Sequence, residues 1–88
     1  MKATFRRSFE RDLRKIREQT LRDRVKTAIE RIEAADSAEE IPNLERLSGT
    51  SGFGRVRIGD YRLGIAFEGD EIDLVRLLHR RDIYRYFP

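Results

Sequence analysis

Apolar and polar residues alternate most regularly in the third quarter of the chain, and this alternation predicts two β-strands joined by a tight turn. In the first strand, Val56 and Ile58 fall on one face, and Arg55 and Arg57 fall on the other. The dipeptide Gly59-Asp60, with glycine first, is a signal for a two-residue hairpin turn. The sequence therefore predicts a β-hairpin with arginines on one face.

The length of that turn sets which residues face each other across the hairpin. Arg57 is expected to lie directly opposite Arg62, while the apolar pairs Ile58–Tyr61 and Val56–Leu63 share the other face. Like charges opposite each other across strands are unfavourable. The pairing therefore predicts an anion between the two guanidiniums, with phosphate the obvious candidate. Arg55 would lie opposite Gly64, whose small size is expected to leave the floor of a concave basic cleft.

Two amphipathic helices are predicted before the hairpin. The first covers roughly residues 9–18 and is capped by Ser8, and the second opens at Thr20. Their apolar residues recur at helical spacing: Phe9, Leu13 and Ile16 in the first, and Leu21, Val25, Ala28, Ile29 and Ile32 in the second. The short link between them favours an antiparallel helical hairpin.

The remaining segments complete a β-α-α-β-β-β order with a short C-terminal turn. A first strand is predicted over residues 2–6, the hairpin over 54–67 and a last strand over 71–78; a single turn opens at Ser37, and the glycines between Ser48 and Gly54 predict a mobile loop. Helices followed by strands favour an α+β fold, with the helical hairpin packed on an antiparallel sheet. The last strand alternates imperfectly, which indicates either a central strand covered on both faces or a bulge, and Arg76 cannot be assigned a face.

Composition narrows the function classes. The 88 residues are expected to form a single domain, 1–88. The absence of cysteine excludes disulfides and thiolate metal sites, and His79 as the sole histidine argues against zinc, so we expect neither a metal nor a small-molecule cofactor. The first residues lack a signal-peptide core and no stretch is long and apolar enough to span a bilayer, so we expect no membrane association and a cytoplasmic location.

The charge of the chain favours a nucleic-acid partner. The formal net charge is +3, most basic residues are arginines, and no lysine follows Lys26. Arginine binds bidentate anions such as phosphate better than lysine does. After the last strand the chain carries a titratable group, cations and aromatic rings, which are the parts used to hold and cut single-stranded RNA: His79, Arg80, Arg81, Tyr84 and Tyr86.

A simpler interpretation stays open at this point. The arginines of the hairpin would also suit an exposed sheet face that carries solvated charge. Tyr84, Tyr86 and Phe87 would also suit a terminal hydrophobic plug, and His79 would suit a strand-end residue bonded to backbone.

Short motifs along nearly the whole chain occur in a specific order and spacing: Phe5…Ser8-Phe9-x-x-Asp12-Leu13, Asn43-Leu44-x-x-Leu47-x-Gly49, Arg55-Val56-Arg57-Ile58-Gly59-Asp60-Tyr61-Arg62 and His79-Arg80-Arg81-Asp82-Ile83-Tyr84. With them the chain resembles the RelE/ParE superfamily of type II toxin–antitoxin toxins, in particular its RelE-type members. The resemblance implies an endoribonuclease that enters the ribosomal A site and cuts mRNA by attack of a 2′-hydroxyl on the adjacent phosphate. It also implies a cognate antitoxin that wraps and inhibits the toxin.

The resemblance assigns roles to individual residues. Arg62 fits the family arginine that grips the phosphate in the transition state. Arg80 fits the arginine near the end of the last strand that stabilises the leaving oxygen or the developing charge, with Arg81 as the neighbouring choice. Tyr84 fits the C-terminal tyrosine that stacks on the nucleotide.

The chain departs from the family pattern on the first hairpin strand. Arg55 and Arg57 stand where the best-studied pattern has two lysines. They are expected to bind phosphate, but an arginine effectively never loses its proton, so a general base from that strand is doubtful. If the protein cuts RNA, His79 or Tyr84 would have to accept the proton, and of the two only a histidine ordinarily titrates near neutrality.

The missing lysines leave a second function open. ParE-like members share the fold, lack the RNA-cutting residues and inhibit DNA gyrase without catalysis. The set of His79, Arg80 and Tyr84 favours the nuclease, and the absence of lysines favours the gyrase inhibitor.

Overall fold

The computed structural model describes residues 1–49 and 52–88, and this part of the chain forms an α+β fold, as predicted. It contains β1 (Lys2–Phe5), α1 (Arg7–Arg14), α2 (Gln19–Ala34), a 3₁₀ turn (Ala38–Glu40), β2 (Leu44–Arg46), β3 (Phe53–Ile58), β4 (Tyr61–Glu68), β5 (Glu71–His79) and α3 (Ile83–Tyr86). The loop predicted over 48–54 includes Thr50 and Ser51, which lie outside the described residues.

The five strands form one sheet in the order β1-β5-β4-β3-β2. The pairs β2–β3, β3–β4 and β4–β5 are antiparallel, but β1 runs parallel to β5, with Ala3 opposite Ile72. The prediction of a purely antiparallel sheet was therefore wrong. Parallel strands need a long connection between them, and the helices after β1 supply it. Because β4 occupies one edge of β5, β1 pairs with the other edge.

The predicted helical hairpin is not confirmed, because the two helices pack on different strands. The first helix packs against β5, and the second packs against β1 and β3. Ser8 does not cap α1; its hydroxyl donates a hydrogen bond to the carbonyl of Val75 on β5. The guanidinium of Arg22 on α2 closes the end of the first helical segment by donating to the carbonyls of Leu13 (2.9 Å) and Ile16 (3.0 Å).

The strand β2 was not predicted from the sequence. It has only three residues, too few for alternation to be recognised. It pairs with the outer edge of β3, so that Leu44 lies opposite Val56 and Glu45 lies opposite Arg55. A carboxylate is thereby placed beside the arginines of the hairpin.

The predicted hairpin register is confirmed at every position. Arg57 lies opposite Arg62, and Arg55 lies opposite Gly64. Gly59 takes a φ of +58° in the turn, a conformation that glycine adopts without steric cost. Between β4 and β5 the register shifts by one residue at Val75, which confirms the bulge that the irregular pattern of the last strand had left open.

The hydrophobic core lies between the helices and one face of the sheet. Its most deeply buried members come from both layers: Phe9, Val25, Ile32, Leu63, Ile65, Ile72, Leu74 and Leu77. On the other face of the sheet, the C-terminal segment packs through Ile83 and Phe87, which are both buried. None of the helices among the described residues is long and apolar enough to cross a membrane.

Candidate active site

The three hairpin arginines surround one cavity on the face of the sheet opposite the core. We call this cavity the arginine cleft. Its volume is about 280 Å³, and it is lined by Asn43, Leu44, Glu45, Arg55, Arg57, Arg62 and Tyr84. The convergence of Arg55, Arg57 and Arg62, expected from the alternation of β3 and β4, is therefore present in the structure.

Arg55 is largely buried and contacts residues on two sides. Its side chain is 14% exposed, and its Nη2 lies 3.4 Å from Oε1 of Glu45. Its Cζ lies 4.4 Å from the centroid of the Tyr84 ring, a cation–π contact. Its Nε is buried and has no hydrogen-bond partner among the described residues. Arg55 thus joins β2 to the C-terminal helix and keeps an unused donor.

Arg57 and Arg62 are held more loosely. Nη2 of Arg57 lies 3.5 Å from Oδ1 of Asn43, and Nη1 of Arg62 donates to the carbonyls of Gly59 and Tyr61, each at 2.9 Å. Within residues 1–49 and 52–88 no carboxylate forms an ion pair with either guanidinium. Neutral dipoles offset their charges, so an entering anion meets two cations that no carboxylate of the described residues has neutralised.

The C-terminal helix positions Tyr84 at this cleft. Ile83 and Phe87 anchor α3 to the sheet, whereas Tyr84 is 71% exposed and Tyr86 is 53% exposed. Phe87 is therefore the hydrophobic plug considered for the tail aromatics. Its ring covers Gly64, where a Cβ atom would lie 2.8 Å from ring carbons. The open floor expected above Gly64 is thus filled, and the cleft is narrower than predicted.

His79 lies outside the arginine cleft. It sits opposite Tyr61 across β4 and β5, with ring centroids 5.6 Å apart, and directly paired residues share a face of the sheet. Tyr61 packs against the core, so His79 faces the helix side of the sheet. The histidine lines a separate cavity of about 340 Å³ with Asp12, Arg76 and other residues. The structure does not bring His79 together with the phosphate-binding candidates.

Arg80 and Arg81 also lie outside the residues that line the cleft. The backbone N–H of Arg80 donates to the carbonyl of Asp60 in the hairpin turn (2.7 Å), and its Nε lies 4.0 Å from Oδ1 of Asp60. The backbone N–H of Arg81 donates to Nδ1 of His79 at 3.2 Å. Both side chains are exposed at the end of the sheet where the hairpin turn lies.

Two polar residues that line the cleft were missed by the sequence interpretation. Asn43 and Glu45 reach the cleft from the entry and middle of β2. Asn43 belongs to a motif quoted above, but nothing in its spacing indicated a place beside Arg57. Glu45 carried no signal, because its position follows from the unpredicted pairing of β2 with β3.

Arg76, which the sequence left without a face, forms the most complete ion pair of the described structure. Its Nε and Nη2 donate to the two carboxylate oxygens of Asp12 at 2.8 and 3.2 Å. The backbone N–H of Leu77 donates to the same carboxylate at 2.9 Å, and Asp12 is 3% exposed. The hydrogen bonds to Asp12 raise the pKa of Arg76 above its ordinary value. This pair ties α1 to β5 on the other side of Gly64 from Arg55.

The structure has a small mixed sheet with a basic hairpin face and a short C-terminal helix. These features indicate the same class of protein that the sequence motifs resemble, a toxin of a toxin–antitoxin system. The model of the family described as ParE toxin of type II toxin–antitoxin system, parDE, matches residues 3–84. The chain belongs to the RelE/ParE superfamily of type II toxin–antitoxin toxins.

Individual relatives are similar to the chain over its full length. Toxin RelE3 of Methanocaldococcus jannaschii is 36% identical over 89 residues and is covered completely, as is this chain. In the crystal structure of a RelB–RelE antitoxin–toxin complex from Methanococcus jannaschii, the matching chain is 34% identical with a TM-score of 0.78, covering 97% of this chain and 99% of that one.

A more distant structure shares the fold alone. The archaeal RelE–RelB complex of Pyrococcus horikoshii OT3 matches with a TM-score of 0.72 at 19% identity, over 90% of this chain and 93% of that one. The α+β architecture is therefore maintained where most residues differ.

Proposed function

We propose that this toxin is a ribosome-dependent mRNA endonuclease that needs no metal. The observation that carries the proposal is the arginine cleft, in which Arg55, Arg57 and Arg62 meet beside an exposed tyrosine. Three guanidiniums around one cavity suit a phosphodiester, because each offers paired donors to phosphate oxygens. The whole domain, residues 1–88, would act on ribosomes in the cytoplasm.

The size of the cleft favours the backbone of RNA over a whole nucleotide. A volume of about 280 Å³ lies just below the range of ordinary small-molecule sites, which begins near roughly 300 Å³. A phosphate and part of its ribose would occupy the cleft, while the base stays outside. Tyr84 stands at the rim with most of its ring exposed, so a base can stack on it.

In this proposal the arginines act by charge stabilisation. Attack of a 2′-hydroxyl on the adjacent phosphate builds negative charge on the phosphorane oxygens, and preorganised donors stabilise that charge. Arg62 and Arg57 are assigned to it because no carboxylate pairs with them in the described residues. Arg80 and Arg81, exposed at the hairpin-turn end, are assigned to the flanking RNA. Catalysis by His79 would require movement of the tail, since that ring lies on the other face.

We further propose that a cognate antitoxin inhibits the protein. The relative from Methanococcus jannaschii was crystallised with RelB. An antitoxin segment that presents carboxylates would be complementary to the arginine cleft, and binding there would exclude RNA.

A second candidate function is inhibition of DNA gyrase without catalysis. It is favoured by the match of the ParE toxin model to residues 3–84 and by the arginines that stand in place of lysines on β3. The two functions predict different damage in cells. Sequenced mRNA ends that are phased to codons would support the nuclease, and trapped gyrase–DNA complexes would support the gyrase inhibitor.

The deciding experiment replaces Arg62 with alanine. We expect Arg62→Ala to abolish growth arrest and to slow cleavage of ribosome-bound mRNA by about 10²–10³-fold, because a charge-stabilising donor is removed. Thermal unfolding should stay close to that of the unmodified protein, and the variant should still bind its antitoxin. Arg85→Ala, an exposed arginine on α3 outside the cleft, is the matched control. Full toxicity of Arg62→Ala would remove Arg62 from the mechanism.

A further inference from the structure

We propose that Glu45 is the proton acceptor of the arginine cleft and takes the proton of the attacking 2′-hydroxyl. This inference rests on the nuclease function proposed above, and it supplies the general base that the arginines of β3 cannot be. It gives a catalytic role to a residue on a strand that the sequence did not predict.

The position of Glu45 follows from the pairing of β2 with β3. Glu45 lies directly opposite Arg55, and its Oε1 is 3.4 Å from Nη2 of that residue. Its carboxylate lines the same cavity as Arg57, Arg62 and Tyr84. Among the described residues that line the cleft, it is the one carboxylate. A phosphate held by the arginines would therefore bring its neighbouring ribose hydroxyl within reach of Glu45.

The remaining cleft residues are poorer proton acceptors. Guanidiniums have donors and no acceptor, and the amide oxygen of Asn43 is a weak base. The phenol of Tyr84 must lose its own proton before it can accept another. His79 faces the helix side of the sheet and lines a different cavity. A carboxylate offers oxygen lone pairs that accept a proton directly, and that of Glu45 already lies in the cleft.

The contacts of Glu45 leave it free to act. Its side chain is 71% exposed and its ion pair with Arg55 is a single contact. Exposed pairs of this kind hold the carboxylate only weakly. Glu45 therefore rests on Arg55 in the free protein and can turn to a substrate hydroxyl when a phosphate takes its place on the guanidinium.

The proposed step balances without a co-reactant. The 2′-hydroxyl gives its proton to Glu45 as its oxygen forms a bond to phosphorus. The bond from phosphorus to the 5′-oxygen breaks, and its electron pair stays on that oxygen. The 5′-oxygen takes a proton from solvent, and Glu45 returns its proton to solvent, leaving a 2′,3′-cyclic phosphate and a 5′-hydroxyl.

This arrangement predicts opposite effects on binding and on cleavage. The carboxylate competes with phosphate for Arg55, so Glu45→Gln should bind RNA at least as tightly as the unmodified protein. Glutamine cannot accept the proton, and the loss of a general base slows a reaction by about 10²–10⁴-fold. A residue with a structural role alone would not separate the two quantities in this way.

The experiment measures both quantities on mRNA bound to ribosomes. Single-turnover cleavage at saturating toxin gives the rate, and a message carrying a 2′-O-methyl group at the mapped cleavage site, which cannot be cut, gives the affinity. We expect Glu45→Gln to cut at least about 10²-fold more slowly with unchanged or tighter binding. Glu45→Asp, which keeps a shorter carboxylate, should recover part of the rate.

Matched controls separate the possible failures. Glu39→Gln alters another exposed glutamate that pairs with an arginine of β2, Arg46, at 3.9 Å outside the cleft, and should cut normally. If the unmodified toxin cuts and Glu45→Gln cuts at the same rate or faster, the role of Glu45 is refuted while the nuclease function stands. If the unmodified toxin does not cut, the proposed function fails and the role of Glu45 fails with it.

Discussion

Two arginines flank Gly64 from neighbouring strands, and each faces a carboxylate, yet the two pairs are built differently. On β5, Arg76 makes a bidentate contact with Asp12, whose carboxylate is buried and also accepts the N–H of Leu77. On β3, Arg55 makes one contact of 3.4 Å with the exposed Glu45. The first pair is satisfied within the protein, and the second leaves donors and a carboxylate available.

The comparison shows that one sheet carries both an ion pair that stabilises the fold and an ion pair that is available to a ligand. A fully satisfied pair gains nothing from an added ligand, whereas a loose pair can exchange one partner for a phosphate at little cost. The arginine cleft lies on the side of Gly64 that carries the loose pair. Arginine content alone would not have distinguished the two sides, because both present a guanidinium next to the same glycine.

The largest expected effect is at Asp12. Asp12→Ala should lower the free energy of unfolding by about 3 kcal/mol or more, because Arg76 loses its counter-charge in a partly buried site and the N–H of Leu77 loses its acceptor. Denaturant unfolding followed by circular dichroism measures this change. Glu45→Gln is the matched change at the other pair and should shift stability by less than about 1 kcal/mol. Equal losses in the two variants would contradict the distinction between the pairs.

A smaller effect is expected at Gly64, which separates the two arginines. Gly64→Ala places a methyl group 2.8 Å from the ring of Phe87, so the ring must move away from the sheet. We expect a loss of about 1–3 kcal/mol, typical of overpacking. Because Phe87 anchors the helix that carries Tyr84, cleavage should fall as well. Gly52→Ala, where an added Cβ meets no atom within 4 Å, is the control.

The smallest effect concerns a third ion pair, formed by Asp73 of β5 with Arg6, and it depends on pH. A hydrogen bond from the Thr4 hydroxyl and then one from Arg6 (2.9 Å) lower the pKa of Asp73 below its ordinary value. A carboxyl whose pKa is lower in the folded state stabilises the fold above its unfolded pKa of about 3.9, and this contribution is lost as pH falls through the folded value.

The measurement is the stability of Asp73→Asn relative to the unmodified protein as a function of pH. The difference should be largest near neutrality and should shrink as pH falls below about 4. A difference that stays constant down to the acid limit would show that Asp73 contributes by packing and not by its charge.

The hairpin was predictable because two local rules determine it together. Alternation sets the faces and a two-residue turn sets the register, so the pairing of Arg57 with Arg62 followed from the sequence. The rest of the site depends on contacts between distant segments. Three residues of β2 give too little pattern to reveal Glu45 beside Arg55. The bulge at Val75 changes the parity of β5, so neither Arg76 nor His79 could be placed on a face from spacing.

The pairing of β1 with β5 could not be predicted from the sequence for a related reason. A four-residue strand carries no mark of its partner, and its parallel contact with β5 is set by how the helices lead the chain across the sheet. The predicted cap of α1 was wrong because Ser8 bonds to β5 rather than to the start of the helix.

Side chains of α1 form hydrogen bonds with the backbone of β5, and these bonds have a consequence for self-association. Beyond the end of β1, Ser8 and Asp12 of α1 bind the carbonyl of Val75 and the N–H of Leu77, so side chains occupy backbone groups that a further strand would otherwise claim. In the described sheet the two outermost strands are β1, with four residues, and β2, with three. Edges this short offer few exposed amides to another chain, which protects the sheet from edge-to-edge aggregation.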